Sequence, residues 1–352
     1  MPRLPLPDFL QGPHHAPILD VRAPVEYEHG HIPGALSFPL FSDEERARIG
    51  TTYKQVSQDK AVLLGLDLFG PKMSQMVKVA GKLAPGKEVR VHCWRGGMRS
   101  GAVQWLLELA GFKVHLLNKG YKDYRHWVLA QFVEPRRLLV LGGLTGSGKT
   151  DVLHELTRSG EPVVDLEGLA HHKGSAFGSI GLPPQPSQEQ FENDLAGALA
   201  QLSATQPVWV EDESRTIGGI HVPTPLFQQM SGAPLVVLEI PRAVRVRKLA
   251  EEYGREDPGA LATSILRIQK RLGGLATKEA LAAIAEDDME KMVSLVLDYY
   301  DKTYGHGLTG RRAIHVPSDT CDAVVNAELV RQAVQKAELL SSLPTDTAAH
   351  GA

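Results

Sequence analysis

The chain has 352 residues, 43% of them hydrophobic and 22% charged, and a formal net charge of −3. That length suits two cores of ordinary domain size, and two cysteines, Cys93 and Cys321, are too few for a disulfide framework, which points to a reducing compartment. No apolar run reaches spanning length and the start, MPRLPLPDFLQG, lacks the order of a signal peptide, so a cytoplasmic protein without a membrane partner is expected.

Charge is unevenly spread. Residues 1–134 carry 17 lysines and arginines against 13 acids, whereas the remainder carries 21 against 28. A globally acidic chain does not hold nucleic acid by bulk charge, so a polynucleotide partner would need local patches. The candidates are Lys113, Lys119, Lys122, Arg125, Arg136 and Arg137, and, further on, Arg242, Arg245, Arg247 and Lys248.

In chain order, the first strand-like runs are ILDV at Ile18–Val21, VRVH at Val89–His92 and KVHLL at Lys113–Leu117, with helical spacing between them. This alternation predicts an α/β domain with a mainly parallel sheet. FVEPRR, with Pro135, marks its end and opens a short connector. Beyond it the strands recur as LLVL at Leu138–Leu141, PVVDL at Pro162–Leu166, PVWVED at Pro207–Asp212, LVVLEI at Leu235–Ile240 and AIHV at Ala313–Val316. Helical stretches separate them, among them Val244–Glu252 and the long EDDMEKMVSLVLDYYDKTYG, which is the pattern of a doubly wound parallel sheet with its ligands at the strand carboxyl ends. The tail SSLPTDTAAHGA has the composition of a disordered segment.

Two stretches carry chemistry. In VHCWRGGMRS, Val91–Ser100, a short apolar strand delivers Cys93 to a glycine-containing loop closed by Arg99, and the following GAVQWLLELAG reads as a helix whose N-terminus faces the same point. Inward amides, Arg95 and Arg99 make this an anion cradle around a thiol, the setting of a reactive cysteine. The second stretch, GGLTGSGKT, places GxxxxGKT over Gly143–Thr150 between an apolar strand and a helix. Gly143, Thr145, Gly146, Ser147 and Gly148 would turn loop amides toward an oligophosphate. Lys149 would add a charge to its outer phosphates, and Thr150 would hold a phosphate oxygen or a magnesium ion. Asp165, Glu167, Glu211 and Asp212 close two strands of the same sheet, the place of a polar site beside a phosphate loop. His171 and His172 are adjacent and no Cys has metal-ligand spacing to a His, so a structural metal is not expected.

The run LDVRAPVEYEHGHIPGALSFPL, Leu19–Leu40, together with the Cys93 loop, makes residues 1–134 resemble a rhodanese domain, which carries sulfur or selenium on its loop cysteine. The loop departs from the usual sulfurtransferase form in having five residues between Cys93 and Arg99 rather than four. In that it is similar to the loops of tyrosine and dual-specificity phosphatases and suits a tetrahedral oxyanion or its selenium analogue. Followed by GGLTGSGKT, by VDLEGLAHHKGSAFG at Val164–Gly178 and by VEDESRTIG at Val210–Gly218, the whole resembles the bacterial tRNA 2-selenouridine synthases. TTYKQ at Thr51–Gln55 and LLGL at Leu63–Leu66 also fit that family, which carries over Gly65 as a functional glycine.

The resemblance implies a rhodanese-like domain at 1–134, a P-loop domain at 135–340 and a disordered tail at 341–352. It further implies tRNA as partner and replacement of wobble 2-thiouridine sulfur by selenium from selenophosphate, through an S-geranylated intermediate made from geranyl diphosphate. Cys93 would serve there as selenium carrier, nucleophile or acid. No tightly bound cofactor is implied, magnesium remains open, and nothing in the sequence selects an oligomeric state. The bare motifs also fit a P-loop kinase or a nucleotide-regulated sulfurtransferase.

Overall fold

The computed structural model describes residues 3–203, 206–304 and 313–337, so the tail at 341–352 lies outside the described residues. The chain divides into two compact units. One runs to Gln131 and takes in Glu192–Gly197; the other comprises Phe132–Phe191 and the residues from Ala198 onward.

In the first unit β1 (Ile18–Asp20), β2 (Leu36–Ser37), β3 (Glu88–His92) and β4 (Lys113–Leu116) form one parallel sheet in the order β2-β1-β3-β4. The VRVH run is buried throughout, as a parallel strand covered on both faces must be. Leu19 and Leu116 flank Val91 in register, and all three share a core with Val103, Leu107 and Cys93. Strand β3 therefore carries Cys93 out of the sheet at its carboxyl end, and the helix Met98–Leu109 starts five residues later. Three α-helices and a short 3-10 helix, Gly70–Lys72, fill the long connection from β2 to β3. The first two, Asp43–Gln55 and Gln58–Phe69, start where the hydroxyls of Ser42 and Ser57 accept the amides of Glu45 and Lys60.

The second unit contains β5 (Leu138–Gly143), β6 (Val163–Val164), β7 (Val208–Glu211), β8 (Thr216–Ile217), β9 (Ile220–His221), β10 (Leu235–Glu239) and β11 (Ala313–Pro317). Five of these form a parallel sheet in the order β11-β10-β5-β7-β6. Strand β5 is central, and the chain leaves it first toward β6 and later toward β10, which places the loop after β5 at the reversal of strand order where such sheets bind ligands. The helices Lys149–Arg158 and Ala323–Lys336 share a core with this sheet through Val152, Leu156, Val330 and Val334.

Four helices, Arg242–Tyr253, Pro258–Leu272, Gly274–Ala285 and Met289–Tyr304, make a separate apolar cluster around Leu261, Ile265, Val293 and Leu297. Two features depart from the sequence reading. The strand expected over Pro162–Leu166 stops at Val164, because Asp165 accepts the amide of Gly168 at 2.6 Å and caps a short helix, Leu166–Ala170. An antiparallel hairpin, β8–β9, also lies outside the parallel pattern.

Candidate functional site

Each unit holds one of the two cradles. In the first, Cys93 is 3% exposed, and its Sγ lies 3.2 Å from the Ser100 hydroxyl, which in turn donates to the Gly97 carbonyl. The loop is locked from beneath. The amides of Tyr121 and Lys122 donate to the carbonyls of Cys93 and Trp94 at 2.9 Å, and Gly120 lies so close that a Cβ there would stand 2.3 Å from the Cys93 oxygen and 2.5 Å from the Gly96 nitrogen. With φ of +64° as well, only glycine fits at 120.

The two loop arginines differ. Arg99 forms a 2.6 Å ion pair with Glu26, on the helix Pro24–His29 of the Leu19–Leu40 signature; burial opposes ionisation of Glu26, but Arg99 holds its carboxyl below the usual range. Arg95 is exposed and makes no hydrogen bond or ion pair among the described residues. Behind the loop His92 is fully buried, and burial brings it down to about 4, so it stays a neutral imidazole. No atom of this loop comes within 4 Å of a Cβ built on Gly65. Gly65 lies within the helix Gln58–Phe69, and a Cβ there would meet Phe41 at 3.7 Å and Ile49 at 4.0 Å, ordinary contacts.

In the second unit the phosphate loop opens on a cavity of about 730 Å³. Gly143, Thr145, Gly146, Gly148, Lys149 and Thr150 line one side, with Glu167, Asp212 and Glu213 beside them and Phe177, Ile180, Leu249 and Tyr253 as an apolar wall. The Lys149 ammonium donates to the Gly143 carbonyl at 3.0 Å. Ser147 is fully buried with its hydroxyl unpartnered, and the helix Lys149–Arg158 begins at Gly148, so the loop presents an unsatisfied polar group and a helix N-terminus together. Gly146, at φ +80°, passes so near Leu249 that a Cβ would meet its side chain at 2.7 Å. From the other side the buried Arg245 donates to the Thr145 carbonyl at 3.1 Å while its guanidinium pairs with Asp301.

The expected polar site splits in two. Asp165 and Glu211 lie behind the cavity: Glu211 is wholly buried and accepts the amide of Leu166, and burial together with the charge of Asp165 raises its carboxyl well above the ordinary range. Glu167 and Asp212 do reach the cavity, and Glu167 accepts a 2.6 Å hydrogen bond from the Thr150 hydroxyl. Beside Glu167 stands Glu213, which sequence reasoning missed. Burial and the Glu167 carboxyl push Glu213 up to about 8 against the pull of Lys149, so Glu213 keeps its proton at neutral pH. The signal was present as acids at alternate positions, 165 and 167, then 211 and 213. Among the described residues no group of three or more His, Cys, Asp or Glu is arranged to hold a metal ion.

The expected basic patches are largely spent on acids. Arg242 pairs with Asp298, Arg245 with Asp301, Lys248 with Asp151 and Glu252, Lys113 with Glu88, and Arg125 with Glu192. Lys119 and Lys122 remain exposed, and their ammonium groups have no partner among the described residues. No helix among the described residues is long and apolar enough to cross a membrane.

Comparison with known proteins agrees with this architecture. A rhodanese-like domain model matches residues 6–126, and a model of the tRNA 2-selenouridine synthase AAA domain matches residues 136–260. A tRNA 2-selenouridine synthase of Salmonella enteritidis is 38% identical over 350 residues, 88% of this chain and 94% of that protein. The chain is also 39% identical over 337 residues to the protein of that name from Salmonella newport, covering 84% of this chain and 90% of the relative. With the one from Nitrosomonas europaea the identity is 40% over 245 residues, 67% of this chain and 63% of that protein.

Proposed function

The chain belongs to the tRNA 2-selenouridine synthase family, enzymes of tRNA wobble modification, and from that premise we propose that it replaces the sulfur of wobble 2-thiouridine with selenium in two steps, one at each cradle. In the first, the phosphate loop holds the diphosphate of geranyl diphosphate. The thiocarbonyl sulfur attacks the allylic carbon as the carbon–oxygen bond breaks, its electron pair leaves on the diphosphate, and Lys149 with the loop amides stabilises that charge. In the second, the loop Cys93–Arg99 holds hydrogen selenophosphate, whose selenium adds to the base carbon as the carbon–sulfur bond breaks and geranyl thiol leaves with the selenium's proton; water then cleaves the selenium–phosphorus bond, releasing phosphate and leaving 2-selenouridine.

The observation that carries this reading is the shape of the second cavity, a phosphate loop continued by the apolar wall of Phe177, Ile180, Leu249 and Tyr253. A diphosphate with a hydrocarbon tail matches both halves. Domain limits near residue 134, and the assignment of Cys93, Arg95, Arg99, Lys149 and Thr150 to the two steps, belong to the same proposal.

The test is mass spectrometry of nucleosides from 2-thiouridine tRNA incubated with the enzyme, geranyl diphosphate and selenophosphate. S-geranyl-2-thiouridine followed by 2-selenouridine is expected. Formation of 2-selenouridine without any need for the prenyl diphosphate would overturn the role given to the phosphate loop.

A further inference from the structure

Trp94 follows the buried thiol directly and is itself only half-buried. Its inner side is pinned: the ring lies 5.8 Å from that of Tyr121, which is fully buried with the Arg22 guanidinium 3.7 Å over its own face. The Trp94 carbonyl accepts the amide of Lys122 at 2.9 Å, and a Cβ on Gly96 would stand 3.1 Å from the amide nitrogen of Lys119. One turn therefore joins an aromatic platform and two exposed cations, without partners among the described residues, to Cys93. Of the other neighbouring cations, Lys113 and Arg125 are already paired with Glu88 and Glu192, and the exposed Arg95 belongs to the loop assigned above to selenophosphate.

We infer that Trp94 is the stacking platform for the wobble base of a single-stranded anticodon loop, and that Lys119 and Lys122 bind the phosphates flanking it. Unstacked loop bases are held on aromatic faces while lysines track the backbone, and both groups here are tied by backbone contacts to the residue beside which selenium must reach the base. The inference rests on tRNA being the substrate, and it assigns the docking surface to the Cys93 loop rather than to the basic residues around Arg242–Lys248, three of which are neutralised by acids.

The probes are an anticodon stem-loop RNA with 2-thiouridine at the wobble position and the same RNA abasic there, titrated against the full chain. Trp94→Ala should weaken binding of the base-bearing RNA by about 5- to 150-fold, the range of one base–aromatic stack, and leave the abasic RNA unaffected; Trp94→Phe should restore most of the loss. Lys119→Gln with Lys122→Gln should lower the slope of log affinity against log salt by about 1.4, two single-strand phosphate contacts, while Lys54→Gln with Lys60→Gln leaves it unchanged. If the parent binds and both sets of variants behave as the parent does, tRNA docks elsewhere and this inference falls while the proposed function stands. A parent that binds neither RNA overturns both.

Discussion

Gly65 and Glu213 show how differently a residue reads in sequence and in space. Gly65 stands inside a helix, and a methyl group there meets only Phe41 and Ile49 at ordinary distances, so the backbone needs no glycine. Gly65→Ala should therefore raise stability by about 0.5–1 kcal/mol, read as a higher Tm, because alanine loses less backbone freedom in a helix. A lower Tm would mean that the helix leaves no room for the methyl. Glu213 drew no attention as one acid in VEDESRTIG, yet it keeps its proton in the folded chain to about pH 8, whereas an ordinary glutamate releases it near 4.5. The unfolded chain thus binds fewer protons in that window, and the stability linked to Glu213 falls as pH rises from about 4.5 to about 8. Urea midpoints at pH 6 and pH 8.5 should drop more for the parent than for Glu213→Gln, which cannot ionise beside Glu167. Equal drops would show that Glu213 is already charged at pH 6.

At the scale of elements, legibility followed burial. Apolar runs such as VRVH and LLVL became central parallel strands because burial on both faces leaves an unbroken hydrophobic run and little else it could be. The run PVVDL misled because Asp165 stops pairing to cap a helix, a choice made by one side chain and the Gly168 amide rather than by periodicity. Nor did the charge pattern reveal that Arg99 would turn to Glu26 or that Arg245 would brace Thr145, since both partners arrive from segments distant in sequence. The turn beneath the cysteine loop was equally silent, and it makes its own prediction. Gly120→Ala forces a methyl group against the Cys93 carbonyl and should cost about 1–3 kcal/mol, as overpacking does. The same variant should change the rate at which iodoacetamide alkylates Cys93. A variant matching the parent in both denaturant midpoint and alkylation rate would show that the loop is not held by this contact.

For the whole molecule, the consequence of two cradles in two compact units is that the half-reactions should be separable. Cys93 lies in one core and Lys149 at the start of a helix packed on the other, so removing one side chain leaves the opposite site with its own buried support. Cys93→Ala should stop selenium incorporation and let S-geranyl-2-thiouridine accumulate. Lys149→Ala loses one preorganised charge at the departing diphosphate, a change that commonly costs on the order of 100-fold or more in rate, so it should make almost no geranylated tRNA. The discriminating arm supplies Lys149→Ala with tRNA that is already geranylated, together with selenophosphate. Conversion at near the parent's rate, in a variant with the parent's denaturant midpoint, would assign the phosphate loop to the first step alone. Failure of that rescue would mean that Lys149 serves both steps, and loss of both products in Cys93→Ala would mean that the thiol does too.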